Sequence, residues 1–180
     1  MSPTRTIVSV AAVAFVSLVT ACNAPRHYDV SPQNTNARTT MVLFNAPPMI
    51  DVLDVGFPGA SAGDTVVWHA PLTTSRGDLS TEVGLAIGTM TRVRVGAAPR
   101  PGEDGTRDHR ATAVEFGWHE SPDSLVVLGS HSYSAGAIES DGAILRAIVG
   151  GTGRFIGARG EMTSTPLGDG WYEHRIVLVD

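Results

Sequence analysis

The sequence predicts an all-β chain, an eight-stranded antiparallel up-and-down β-barrel. Three observations carry that expectation. After residue 40 no segment sustains a helical hydrophobic period. What recurs instead are short runs rich in Val, Ile, Thr and aromatics. These runs are separated by turn residues, which 20 Gly and 11 Pro in 180 residues supply in number. A meander of eight strands removes its exposed edges by closing on itself. A closed barrel of that size leaves room for side chains or for one small ligand.

The chain opens with a segment read as an address rather than as part of the fold. In residues 1–21, Arg5 gives a positive start and Ile7 to Val19 is a 13-residue stretch without charge. That stretch is short for a bilayer span. Small residues lead up to Cys22, the layout of a secretory signal peptide. The segment also resembles a bacterial lipoprotein signal, with Val19 where that signal usually has Leu. The resemblance implies that Cys22 becomes the acylated first residue and holds the protein on a membrane, outside the cytoplasm. A plain export signal and a buried N-terminal helix are the alternatives. Removing residues 1–21 takes away one Arg, so the formal charge goes from -5 to -6. Residues 22–40 are polar and without period, and are read as a flexible tether; residues 41–180 form the barrel domain.

The expected strands are Met49–Val55, Asp64–Pro71, Glu82–Val95, Ala111–His119, Ser124–Tyr133, Ala143–Val149, Ala158–Thr165 and Trp171–Val179. Met41–Phe44 is a candidate further short strand, and the charged stretch Pro99–Asp108 is expected to be an exposed loop.

Composition excludes several function classes. The formal charge of -5, with 13 Arg and no Lys, gives no general attraction to nucleic acid. One Cys excludes an internal disulfide and a Cys-based zinc cluster. The six His show no paired spacing, and no acidic calcium-type loop occurs, so no metal site is expected. No nucleophile elbow is present.

The most informative segment is Ala147–Glu161, AIVGGTGRFIGARGE. A dinucleotide site is rejected, because that fingerprint needs a helix after it and much of an α/β sheet downstream. Here Gly153 lies 27 residues from the end and a Thr-rich strand follows. No phosphate loop is present either, and no cofactor is expected. Glycines in such a segment supply positive φ and close backbone approach, so Gly150, Gly151 and Gly153 are read as shaping the barrel.

With Gly150, Gly151, Thr152, Gly153, Phe155, Gly157, Ala158 and Gly160, the segment resembles the motif between the sixth and seventh strands of the allene oxide cyclase and dirigent barrel superfamily. Gly63-Asp64 with Trp68 and Pro71-Leu72, then Gly77, Val83-Gly84 and Gly88, and finally Trp171–Val179 agree with that family in order. The resemblance covers about residues 49–180 and implies a calycin-like barrel. It does not imply one reaction, because a single fold hosts many activities.

Strand side chains alternate between two faces, and this nominates site residues. Arg159, Glu161 and Thr163 share one face. The resemblance implies a cationic group at Arg159, where dirigent-type relatives carry Arg; such a group could stabilise an enolate-like intermediate. The alternative is a surface Arg paired with Glu161 or Glu173. Leu125, Val127, Gly129, His131 and Tyr133 share a face, an apolar wall ending in two polar groups. His131 is the candidate proton carrier, with a structural His as the alternative. Glu82 becomes a usable acid or base if it points inward. Trp68, Tyr133, Phe116 and Trp118 are the candidate ligand-binding residues, Phe116 and Trp118 with a core role as the alternative.

Function is expected to be binding of a small hydrophobic molecule in the barrel, without demonstrated catalysis. The resemblance implies an alternative, a cofactor-independent cyclase or isomerase, including [4+2] ring closure, or a dirigent-like stereochemical guide. A structural envelope module is the third reading. The expected partners are the hydrophobic ligand, the membrane through Cys22, and further copies of the chain in a homo-oligomer whose number the sequence does not fix.

Overall fold

The computed structural model describes residues 38–97 and 105–179. The expected signal and Cys22, the tether up to residue 37, and most of the 99–108 loop lie outside the described residues. Nine strands occur among the described residues: β1 (Arg38–Asn45), β2 (Met49–Leu53), β3 (Thr65–Thr73), β4 (Glu82–Ala97), β5 (Arg107–Trp118), β6 (Ser124–Ser134), β7 (Ile144–Thr152), β8 (Arg159–Pro166) and β9 (Tyr172–Val179). Two single-turn 3₁₀ segments, Leu79–Thr81 and Gly153–Phe155, sit in connections.

All pairings are antiparallel. The order β1-β9-β8-β7-β6-β5-β4-β3 returns to β1 through a β1–β3 pairing, so eight strands close into a barrel as expected. The membership of that ring differs from the expectation. β1 pairs along its length with β9, from Arg38↔Val179 to Asn45↔Tyr172. Its last two residues also meet β3, at Phe44↔Thr73 and Asn45↔Leu72. The ladder on β3 then continues through Ala46, whose N–H donates to the Pro71 carbonyl at 3.1 Å, into β2, from Met49↔His69 to Leu53↔Thr65. β1 and β2 are therefore two lengths of one stave, broken at Pro47-Pro48, where two residues lack the N–H a ladder needs. Beyond Asn45 the β9 ladder stops, and among the described residues β2 has β3 as its one neighbour. β1 begins at Arg38, so the barrel starts inside the stretch the sequence assigned to the tether. The polar lead-in Arg38-Thr39-Thr40 conceals a strand whose Leu43 and Asn45 are buried.

The other strands fall where the β-branched runs place them. The largest shift is in β5, which starts at Arg107 rather than Ala111. Burial in β5 alternates from Asp108 through Arg110, Thr112 and Val114 to Phe116. The early positions are polar, so their inward face does not read as apolar in sequence.

The barrel has two unlike ends. At one, the β3–β4, β5–β6 and β7–β8 connections gather, and the interior is filled. Leu72, Ala86, Phe116, Leu125, Val127, Met162 and Ile176 form the core, with Phe155 closing against Trp118 at 4.9 Å between ring centroids. At the other end lie the β2–β3, β4–β5, β6–β7 and β8–β9 connections and a smaller apolar group, Val66, Met90, Tyr133 and Ile144.

The glycine segment belongs to the filled end. Gly151 lies where a Cβ would come within 2.1 Å of the Ser124 carbonyl oxygen. Gly160 has φ +151° and a Cβ there would meet the Val177 carbonyl oxygen at 2.0 Å. Only glycine permits that backbone approach. The segment turns β7 into β8 and draws the strands together.

Candidate functional site

A cavity of about 210 Å³ opens at the second end. Its apolar wall comes from strand positions that alternate inward: Trp68 on β3, Met90 on β4, Val114 on β5, Ile144 on β7 and Met162 on β8. Pro47-Pro48, Ile138 and Glu139 of the β6–β7 connection, and Gly170 of the β8–β9 connection form the rim. Gly88 makes room for the wall: a Cβ there would lie 2.2 Å from the Trp68 indole.

The polar part of the lining is a chain of hydrogen bonds across four strands. The Arg146 Nη1 donates to Ser164 Oγ at 2.9 Å, and Ser164 Oγ lies 2.9 Å from His174 Nδ1. His174 Nε2 is 2.6 Å from Asn45 Oδ1, and Asn45 Nδ2 donates to the Ala46 carbonyl at 2.7 Å. Because the Asn45 amide nitrogen is committed to a carbonyl, its oxygen accepts, so His174 carries its proton on Nε2 and accepts from Ser164 at Nδ1. Burial, reinforced by the positive charge of Arg146, pulls His174 down to about 3, so the ring is neutral. Phe116 meets the His174 ring edge-on at 4.9 Å from beneath. Tyr133 lines the same cavity, and its phenol acts electrostatically on the Arg146 guanidinium. Burial lowers the Arg146 pKa, and the electrostatic influence of the nearby Tyr133 phenol offsets part of that; an arginine remains charged throughout.

A second set of charges braces the same end of the barrel. Asp64, buried at the start of β3, accepts from the N–H groups of Ser61 and Val55 at 2.7 and 3.1 Å and from Arg92 Nη1 at 2.6 Å. These bonds, the backbone ones foremost, hold its carboxyl at about 2. Arg92 Nε lies 3.0 Å from Asp108, which also accepts from the N–H groups of Gly96 and Gly136. Arg110 stacks on the Tyr133 ring, 4.5 Å from its centroid. Tyr133 is therefore backed by one guanidinium on its ring face and lies within electrostatic reach of a second, that of Arg146.

The residues nominated by the sequence divide between the two ends. Trp68 and Tyr133 line the cavity. His131 is partly buried beside Arg146; desolvation, with the charge of Arg146, lowers it to about 4, and its Nε2 has no hydrogen-bond partner. Gly129 makes that juxtaposition feasible, since a Cβ there would meet both His131 Nε2 and the Arg146 chain. Phe116 is core beneath the polar floor rather than ligand wall. Trp118 is at the filled end, against Phe155, with Arg154 over its ring at 5.2 Å. Glu82 lies exposed at that end, 2.8 Å from His119. Arg159 is exposed at the start of β8; the inward residues of that strand are Met162 and Ser164. The physical reason is the pleat: Arg159, Glu161 and Thr163 share the face opposite the buried Met162.

Sequence reading missed Arg146, Ser164, His174 and Asn45. Two carried a usable signal. Arg146 sits two residues from Ile144 and Ile148, and His174 two from Ile176, so period-two alternation puts each on an apolar, inward face. No group of three or more potential metal ligands occurs among the described residues.

No family model matches the chain, and no curated protein matches it in sequence. Solved structures do match in fold. A pyocyanin demethylase aligns with a TM-score of 0.57 and 19% identity, over 78% of this chain and 100% of that one. The pterocarpan synthase dirigent protein GePTS1 aligns with a TM-score of 0.56 and 20% identity, over 82% and 87%. The Diels-Alderase AbmU from Streptomyces koyangensis aligns with a TM-score of 0.53 and 11% identity, over 82% and 70%. The closed eight-stranded ring and these neighbours agree in fold: the chain has the antiparallel β-barrel fold seen in these demethylase, dirigent and Diels-Alderase structures.

Proposed function

We propose that this protein binds a small, mainly apolar organic molecule in the open end of its barrel. The observation that carries the reading is the cavity itself: an apolar wall of Trp68, Met90, Val114, Ile144 and Met162 facing a short, ordered row of polar groups. Ligand sites are typically built this way, with a few polar groups fixing orientation inside an apolar shell. A barrel packed solid would speak for a purely structural module. The fold neighbours are named for a demethylase, a dirigent protein and a Diels-Alderase, and that range supports a small-molecule site without choosing a reaction.

A second reading, a cofactor-independent cyclase or isomerase, has one observation in its favour. The Tyr133 hydroxyl and the Arg146 guanidinium stand together at the cavity lining. Preorganised donors of that kind stabilise a developing oxyanion, and a close-fitting wall holds a flexible precursor near its reactive shape. In either reading the chain is exported and anchored by acyl chains on Cys22, a proposal supported by the sequence of residues 1–22. Palmitate labelling of cells that is lost in Cys22→Ala tests the anchor.

Titration of the purified chain with 2-methoxynaphthalene, a neutral apolar probe, tests the cavity. Saturable quenching of tryptophan fluorescence, diminished in Trp68→Phe, is the expected result. The absence of saturable binding, together with no co-purifying small molecule in native mass spectrometry, would remove the reading.

A further inference from the structure

Arg146 is unusual for a cavity with so little polarity. It is 8% exposed and projects from the middle of a strand whose inward neighbours are Ile144 and Ile148. Among the described residues no carboxylate lies within ion-pairing distance of it. Two other arginines of the interior are treated differently: the partly buried Arg92 pairs with Asp64 and Asp108, and the buried Arg110 lies 3.7 Å from Asp108. A buried cation without a counter-charge is costly to keep, and natural folds retain one where something else neutralises it.

The groups around Arg146 do not supply a negative charge. From β8, Ser164 offers a hydroxyl. From β9, His174 is neutral, and Tyr172 is kept protonated by burial, its pKa pushed up. From β6 come neutral His131 and the Tyr133 hydroxyl. Glu139 lines the same cavity from the exposed β6–β7 connection, and its charge is felt at Tyr172, but it forms no ion pair with Arg146. The guanidinium also has donors to spare: of its five N–H groups, Nε has no partner. A positive, incompletely bonded guanidinium thus lines this cavity, with the Tyr133 phenol among the other lining groups.

We propose that the natural occupant is an apolar molecule bearing an anionic oxygen, a carboxylate or an enolate-type oxygen, and that Arg146 binds that oxygen with Tyr133 beside it. This rests on the cavity being a ligand site and names the class of ligand it takes. Trp68, Met90 and Met162 would then hold the apolar body. Ser164, His174 and Asn45 act as positioning residues, fixing one edge of the guanidinium so that the other faces the ligand.

The test compares naphthalene-2-carboxylate with its neutral counterpart naphthalene-2-carboxamide on the full purified chain at pH 7, by calorimetry. A charge-assisted hydrogen bond predicts that the carboxylate binds at least about ten-fold more tightly. Arg146→Gln should remove that preference and Arg146→Lys should keep part of it. Glu139→Gln should strengthen carboxylate binding a few-fold, by removing a like charge from the rim. Equal affinity of the two probes for the wild-type chain overturns the inference and leaves the apolar cavity standing. Failure of both probes and of 2-methoxynaphthalene overturns the cavity reading and the inference with it. Should Arg146→Gln fail to fold, the wild-type contrast between the two naphthalene probes still decides.

Discussion

The two ends of the barrel use glycine against different obstacles, and the difference separates architecture from site. At the filled end, Gly84, Gly151 and Gly160 each lie where a Cβ would come within about 2 Å of a carbonyl oxygen of the neighbouring strand or turn. Backbone cannot step aside without opening the ladder. Toward the open end, Gly88 and Gly129 face side chains instead: the Trp68 indole in one case, His131 and Arg146 in the other. Those glycines make space for functional groups. The filled end fixes the curvature of the cylinder, and the open end spends its conformational freedom on a cavity.

Substitutions at each end can break that contrast. The largest effect is expected at the apolar plug. Phe155→Ala removes a buried ring that packs on Trp118, and should cost about 3–5 kcal/mol of unfolding free energy in urea, with little change in the cavity. Gly160→Ala should cost about 2–4 kcal/mol, from a strained φ together with a clash against the Val177 carbonyl. A loss below half a kcal/mol at Gly160 would show that β8 and β9 can separate freely, contrary to their close approach.

At the open end the expected losses of stability are smaller and those of binding larger. Asn45→Ala leaves the His174 Nε2–H without its acceptor and should cost about 1–3 kcal/mol. It should also loosen the Ser164–Arg146 arrangement, read as weaker binding of naphthalene-2-carboxylate. Gly88→Ala should destabilise by only about 1 kcal/mol, since the indole can move where a carbonyl cannot. The same change should abolish probe binding by pushing Trp68 into the cavity. If Gly88→Ala instead unfolds the protein while binding survives in the folded fraction, the distinction between the two kinds of glycine fails.

The gentlest perturbation is acid. His174 and His131 have folded-state pKa values of about 3 and 4, below the ordinary 6.5. Between those values the unfolded chain binds protons that the folded chain refuses, so stability rises with pH there and is lost as pH falls below about 6.5. His131→Gln should flatten the slope of stability against pH between about 6.5 and 4. An unchanged slope in that variant would place His131 in water rather than beside Arg146. Asp64 acts in the same direction at lower pH, because its depressed carboxyl loses its contribution as pH falls from 3.8 to about 2.

The sequence by itself determined the class and most of the staves. β-Branched runs interrupted by Gly, Pro and Asp admit few foldings other than a meander, and the glycine segment at residues 150–160 marks a tight turn through its own chemistry. On β6 the alternation also read true, placing His131 and Tyr133 on the apolar side. On β8 and β9 it gave no choice of face, and Arg159 was nominated by resemblance alone, because a strand with charges on one face and Ser or His on the other announces no interior. Only the tertiary structure decided that Arg38–Asn45 closes the ring and that β1 and β2 share one stave around Pro47-Pro48. Likewise it alone brought Asn45, Arg146, Ser164 and His174 together. Strand pairing is a local preference made definite by closure, and closure joins residues from opposite ends of the chain. A constellation drawn from β1, β7, β8 and β9 therefore has no spacing in sequence by which it could be recognised.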